Sequence, residues 1–183
     1  LQQGAFLAAL AAKGETADEI LGAWEAIDAL DTVHVRDALP TPLLENSGTG
    51  MDGLKTFNIS SAAALVCAAA GVRVARHGAR ALTSSCGTVD IHEAVGIDPD
   101  ASVREVAHSI REAGIGLFNG MSARVHPQGL FRILAEIRFG STLNIAASLA
   151  SPARYTHAVR GVHSPALLAN VPGVLGQLGI AGV

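Results

Sequence analysis

Three short stretches hold residues whose types and spacing suit the binding of an anion. Gly48-Thr49-Gly50-Met51-Asp52-Gly53 is rich in glycine, so its backbone amides can approach a ligand closely, and Thr49 adds a hydroxyl donor. The same stretch continues through Lys55-Thr56-Phe57-Asn58-Ile59-Ser60-Ser61 to an expected helix N-terminus. Free amides, the helix dipole, hydroxyls and a lysine would converge there on a phosphate or pyrophosphate. It is not a P-loop, because the G-K-[ST] ending is missing. A tight turn with an ordinary cap accounts for the glycine spacing taken alone. Arg76-His77-Gly78-Ala79-Arg80 comes directly after an expected strand Val72–Ala75, and its two guanidiniums suit a phosphorylated ligand. The competing reading is a solvated basic turn. Thr83-Ser84-Ser85-Cys86-Gly87-Thr88 is a hydroxyl run at another helix start, readable also as a simple N-cap. Cys86 reads as a small packed thiol, and Cys67, inside Ala62–Ala70, as core. Three anion-friendly loops after successive strands favour a phosphate-bearing ligand over three unrelated caps.

The elements that must position these loops are legible in outline. Gln2–Ala12 reads as a helix closed by Lys13-Gly14. Thr16 and Glu19 form a capping box ahead of a helix with Ile20, Trp24 and Ile27 on one side and Leu21 and Leu30 nearby. Pro40 and Pro42 mark a linker, so residues 1–38 are expected to be a helical region and residues 39–183 an α/β domain. Beyond the linker, strands are expected at Leu43-Leu44, Val72–Ala75, Ile115–Phe118 and Tyr155–Val162. Helices are expected from Asn58 or Ser60 to Ala70, Cys86 to Val95, Ser102 to Ala113, Leu130 to Ile137, Leu143 to Leu149 and Ala166 to Leu178. This alternation implies βαβ units and a parallel sheet, whose ligands bind at the carboxyl ends of strands.

Composition narrows the class. The chain has 183 residues, 49% of them hydrophobic, 16% charged and a net charge of -3. That suffices for one full core and excludes disorder. Two cysteines exclude a disulfide scaffold and fit a reducing cytosol. Mild acidity argues against nucleic acid as a partner. The mean hydropathy of +0.36 raises the question of a membrane. Gly161–Val183 is free of Lys, Arg, Asp and Glu but carries Pro165, Pro172, Asn170 and Gln177, and Ile59–Val72 is too short to span. No signal peptide is recognisable. The chain opens on Leu1 rather than methionine, as a processed product or fragment would.

Taken together, the motifs resemble the anthranilate phosphoribosyltransferase-like family, within the wider class that includes pyrimidine nucleoside phosphorylases. The resemblance runs from Gly4–Leu10 and Lys13–Thr16 through G-T-G-M-D-G, T-F-N-I-S and the H-G-x-R of His77–Arg80. It continues through Ser85–Asp90, His92–Gly96, His126-Pro127, Asn144 and Ser151–Ala153. It implies transfer of a phosphoribosyl group from phosphoribosyl pyrophosphate (PRPP) to an aromatic amine, anthranilate being the family's usual acceptor in tryptophan biosynthesis. By position it implies PRPP contacts at Gly48, Thr49, Gly50, Asp52, Asn58, Ser60, Ser61, Arg76, Gly78 and Cys86. It implies a Mg2+ contact at Ser60 and acceptor contacts at Gly48, Ala79 and His126. No covalent catalytic nucleophile is implied, because the transition state is oxocarbenium-like and needs positioning and electrostatics. A nucleoside phosphorylase-like enzyme and a non-catalytic binding module are the alternatives.

The resemblance also implies a cytoplasmic homodimer, with Leu7, Leu10, Ile20 and Trp24 as candidates for the dimer surface. Several positions depart from the family pattern. Arg76 stands for a lysine, Met51 for a glycine, Ala79 for an asparagine and Cys86 for a serine. Gly140 or Ser141 stands where the family places an arginine for the acceptor carboxylate, with Arg138 nearby. Asn119–Val125 is longer than usual. Family members are markedly longer, and their paired Asp-Glu magnesium motif follows a strand that would begin near Gly182. A truncated α/β domain is therefore expected, one that binds magnesium–PRPP poorly without those carboxylates.

Overall fold

A computed structural model describes residues 1–183 except Asp52, Leu54, Lys55 and Val183. Helices α1 (Gln2–Lys13) and α2 (Ala17–Asp31) come first. Gly14 closes α1 by donating its amide to the Leu10 carbonyl at 3.0 Å. The capping box forms as the sequence predicts: Thr16 Oγ1 accepts from the Glu19 amide at 3.2 Å, and Glu19 Oε2 accepts from the Thr16 amide at 3.0 Å. Ile20 and Ile27, on one helical face, are buried, and the Trp24 indole N–H donates to the Leu149 carbonyl at 3.2 Å. Leu7 is buried as well. The burial of Leu7 and Ile20 removes both from the surface that a second copy could cover.

The remaining elements are β1 (Leu44–Glu45), α3 (Ile59–Ala69), β2 (Val74–Gly78), α4 (Thr88–Ala94), α5 (Val103–Ala113) and β3 (Ile115–Asn119). They are followed by α6 (Leu130–Glu136), α7 (Thr142–Leu149), β4 (His157–Ala158) and α8 (Leu167–Gln177). The sheet is parallel, in the order β3-β2-β1-β4. All four strands therefore end on one edge, where the loops of interest lie. Gly182 pairs with His157 on the far side of β4, and its carbonyl accepts from the Ala158 amide at 2.8 Å.

Helix α5 is set by local signals. Ser102 and Glu105 form a capping box, Gly114 ends the helix in the left-handed region, and Val103, Val106, Ala107 and Ile110 bury one face. Two strands differ from expectation. β2 runs on to Gly78 instead of stopping at Ala75, because Arg76 and His77 are buried rather than solvated. β4 shrinks from Tyr155–Val162 to His157–Ala158, with one further bridge between Gly161 and Gly48. The two cysteines also differ: Cys67 is only half-buried and Cys86 is exposed.

Helix α2 does not stand apart from the later chain. Its Ile27 packs with Leu130 and Leu134 of α6 and with Ala146 and Ala147 of α7. Its Ile20 joins the main core with Leu43, Phe118, Ile145 and Leu175.

Candidate active site

The carboxyl edge of the sheet opens into a cleft of about 450 Å³. The glycine loop is fastened along one wall. Gly48 pairs with Gly161, the Thr49 amide donates to the Gly161 carbonyl at 2.9 Å, and Thr49 Oγ1 accepts from the His163 amide at 3.1 Å. The loop then turns through the left-handed region at Gly50 (φ 66°) and at Met51 (φ 63°). Met51 carries a side chain where glycine would be at ease.

A second wall joins the start of α3 to the hydroxyl run. Asn58 stands at the N-cap of α3 but does not cap it; its Nδ2 donates to the Gly87 carbonyl at 3.0 Å and the Cys86 carbonyl at 3.4 Å. The Ser60 carbonyl accepts from Asn46 Nδ2 at 2.8 Å. Arg76 lies beneath, with its guanidinium buried. It donates to the Asn46 carbonyl, to Asn46 Oδ1 at 3.0 Å and to Thr88 Oγ1 at 2.8 Å. Burial pushes its pKa down to about 10 and Arg160 adds repulsion, against the pull of Glu45, so it stays charged at neutral pH. Gly78 permits this packing: a Cβ there would sit 2.5 Å from the Thr88 methyl. Arg80 turns away to Asp90 at 3.0 Å and Glu93 at 2.6 Å, at an exposed position.

The opposite wall is apolar and carries two imidazoles. His77 and His126 meet edge to face, with centroids 5.6 Å apart. Burial, then the charges of His126, Arg160 and Arg76, hold His77 well below the usual imidazole range. Burial also lowers His126, against opposing help from the Asp31 carbonyl and charge. Both rings are therefore neutral at pH 7. His126 Nδ1 lies 2.7 Å from the Asp31 carbonyl, which makes Nδ1 the protonated nitrogen and leaves Nε2 as an acceptor. Neither His77 Nε2 nor His126 Nε2 has a hydrogen-bond partner among the described residues. Leu130, Leu134 and Met121 surround them. Asp31 fixes this wall: its carboxylate also accepts from the Gln128 amide and, at 2.9 Å, from the Leu130 amide.

The sequence-predicted residues largely meet. Gly48, Thr49, Gly50, Asn58, Ser60 and Arg76 line the cleft. Gly78, Ala79, Cys86 and His126 line it too. Ser61 does not; it is buried, and its hydroxyl has no partner among the described residues. Asp52 lies outside the described residues. Gly140 is covered by the His163 ring, whose Nε2 would be 2.4 Å from a Cβ there. Arg138 reaches the rim instead, donating to the Leu82 carbonyl at 3.2 Å.

Magnesium fits poorly as a resident ion. Among the described residues no three His, Cys, Asp or Glu converge, and Ser60 supplies at most a hydroxyl. Sequence reasoning missed Asp31 as the holder of His126, and it missed the buried pair Glu45–Arg160, whose charged atoms approach to 2.5 Å. Both join residues far apart in the chain, for which no local spacing exists.

The family model described as the glycosyl transferase family helical bundle domain matches residues 1–30, and that of the a/b domain matches residues 40–183. The chain belongs to this anthranilate phosphoribosyltransferase-like family. It is 42% identical over 184 residues to an anthranilate phosphoribosyltransferase of Anaeromyxobacter sp. (strain Fw109-5), a match covering 98% of this chain and 53% of the relative. It is 41% identical over 179 residues to that of Chloroflexus aurantiacus, covering 97% of this chain and 51% of the relative. Among solved structures, the anthranilate phosphoribosyltransferase of Thermus thermophilus superposes with a TM-score of 0.83 at 37% identity, over 97% of this chain and 53% of that one. The Saccharomyces cerevisiae enzyme, solved with PRPP and Mg, shares the fold with a TM-score of 0.76 at 23% identity, over 97% of this chain and 50% of that one. The chain thus spans about half the length of the curated relatives it matches, as its resemblance implied. No described helix is long and apolar enough to cross a membrane.

Proposed function

We propose that this cleft binds PRPP and transfers its phosphoribosyl group to an aromatic amine. One juxtaposition carries the reading: a wall of glycine amides and hydroxyls over the buried Arg76 guanidinium faces a wall of two neutral imidazoles set among leucines. The first wall suits the pyrophosphate, whose departure from C1′ needs its growing negative charge stabilised. The second suits an aromatic amine. The unprotonated Nε2 on His126 is buried in the free chain; an amine that displaces the side chains over it can give it a hydrogen bond and so aim the nitrogen lone pair at C1′. The C1′–O bond to pyrophosphate breaks, the C1′–N bond forms, and the amine gives up one proton. Magnesium enters as part of the substrate, on the pyrophosphate oxygens.

Gly140 offers no cation to an acceptor carboxylate, so affinity for anthranilate itself rests on the imidazole wall and on Arg138 at the rim. Calorimetry of the full-length protein with PRPP and magnesium is expected to show binding, and an amine panel is expected to give N-phosphoribosyl products. Absence of heat with PRPP, or phosphorolysis of nucleosides in its place, defeats the proposal. The same reading makes the protein a cytoplasmic homodimer. Phe6 and Leu30, 64% and 74% exposed on α1 and α2, are apolar surface that a second copy would cover. Sedimentation velocity checks that state.

A further inference from the structure

Neither Glu45 nor Arg160 lines the cleft, yet the buried pair they form holds the residues behind the glycine loop and behind His77. Glu45 is wholly buried at the end of β1, and the Arg160 side chain is 3% exposed just after β4. One Glu45 oxygen accepts from the Ser47 amide at 3.2 Å, the Ser47 hydroxyl at 3.1 Å and Arg160 at 2.5 Å. The other accepts from the His77 amide at 3.1 Å. Arg160 also donates to the Ser47 hydroxyl and, at 2.7 Å, to the Ser148 carbonyl at the end of α7. One ion pair therefore joins the start of the glycine loop, the strand end that carries His77, the loop after β4 and α7.

Stability alone is a poor reason for this arrangement. Taking both charges out of water is expensive, and a hydrophobic pair of similar volume commonly does as well. The pair is also incompletely satisfied: Arg160 Nε and its second terminal nitrogen have no partner among the described residues. The Tyr155 ring, 5.2 Å from the guanidinium carbon, offsets only part of that. What the pair does supply is direction. From it the glycine loop is fastened upward in sequence: Ser47 to Arg160, Gly48 to Gly161, the Thr49 amide to Gly161, and the His163 amide to Thr49.

We infer that Arg160 and Glu45 are positioning residues that hold the glycine loop in its ligand-ready form before any ligand arrives. The inference deepens the proposed function and rests on it for the identity of the ligand. Because Ser47, Gly48 and Thr49 are already tied in place in the free chain, PRPP does not have to fix them on binding. Bound pyrophosphate would impose the same order on a loosened loop, so loss of the pair weakens binding more than turnover.

The test uses the full chain with Arg160→Met and with Glu45→Gln, Arg160→Met combined. The single change strands a buried carboxylate and is expected to lower the melting temperature. The double change removes both charges and is expected to restore it. In the double variant, amide hydrogen exchange at Ser47 and Thr49 should quicken at least tenfold while that of Ile110 in α5 stays unchanged. KM for PRPP should rise tenfold or more, with kcat at saturating PRPP falling less than threefold. A folded double variant with exchange and KM within twofold of the parent overturns the inference. So does failure of the double variant to fold, which would make the pair a general requirement of the core. A parent that binds no PRPP defeats the proposed function instead, and the exchange measurement still decides the role of the pair.

Discussion

The two walls of the cleft are built by different means. The phosphate-facing wall is mostly backbone and short side chains drawn from three continuous stretches, so each stretch announces itself locally. The wall proposed for the acceptor is assembled from His77 at the end of β2, the loop after β3 and the start of α6, and its key atoms are set by contacts across the chain, such as the Asp31 carbonyl at His126 Nδ1 (2.7 Å). The first wall tolerates side-chain changes that spare the backbone. The second depends on a few polar contacts inside an apolar setting, where each unpaired group is costly.

Arg76→Met breaks the comparison most severely. It removes the only buried guanidinium that lines the cleft among the described residues and leaves Asn46 and Thr88 without their donor. PRPP affinity should fall by about 2–5 kcal/mol in a titration, with the fold kept. His126→Asn tests the other wall. It should lower kcat by roughly a hundredfold while PRPP affinity moves less than threefold, because no phosphate contact is involved. Equal loss of PRPP affinity in that variant would erase the distinction between the walls.

Asp31→Asn acts one step behind His126. An amide has one acceptor oxygen, so the Gln128 and Leu130 amides cannot both keep their partner. Stability should drop by about 2 kcal/mol in denaturant unfolding, with acceptor KM rising and PRPP affinity steady. Acid should strain the same wall. His77 and His126 are held neutral, with folded pKa values below the ordinary one, so the unfolded chain binds more protons once pH falls below about 6.5. Stability should then decline toward acid by at most roughly 1.4 kcal/mol per pH unit from each histidine, and only until pH reaches that histidine's folded pKa, with His77 contributing over the wider range. Replacing His77 with Gln should flatten the slope in urea melts between about pH 6.5 and 5. Met51→Gly is the mildest change. It should relieve about 1 kcal/mol at a left-handed position, raising the melting temperature slightly and leaving acceptor KM alone.

What the sequence revealed follows the same division. Helix α5 was legible from end to end because Ser102, Glu105 and Gly114 encode its limits within a few residues. The capping box of α2 was legible for the same reason. The end of β2 was not. Arg76 and His77 read as part of a loop after the strand, with a solvated turn as the competing reading, since charged and polar residues usually lie outside. They are inside because Glu45, Asn46 and Thr88 receive their hydrogen bonds, and that fact belongs to two other segments. The short β4 has a related cause. Arg160 is drawn under Ser47 and Ser148, so only the Gly161 bridge continues the pairing expected along the whole of Tyr155–Val162. Thr49 and Asn58, singled out from their neighbours in sequence, line the cleft, as does Cys86, which the family resemblance rather than its neighbours brought forward. Asp31, at the tail of a helix with no motif around it, carried no such mark.

Asp31 has a mechanical consequence, through its backbone carbonyl on His126 and its carboxylate on Leu130. The phosphate wall travels with the sheet, whereas Asp31 makes His126 and the start of α6 travel with α2. In the proposed reaction, the gap between the two partners is therefore a gauge of how far helix α2 stands from the sheet. A rocking of α2 by a fraction of an ångström would change the reach between amine nitrogen and ribose carbon by a similar amount, with neither wall altered in itself.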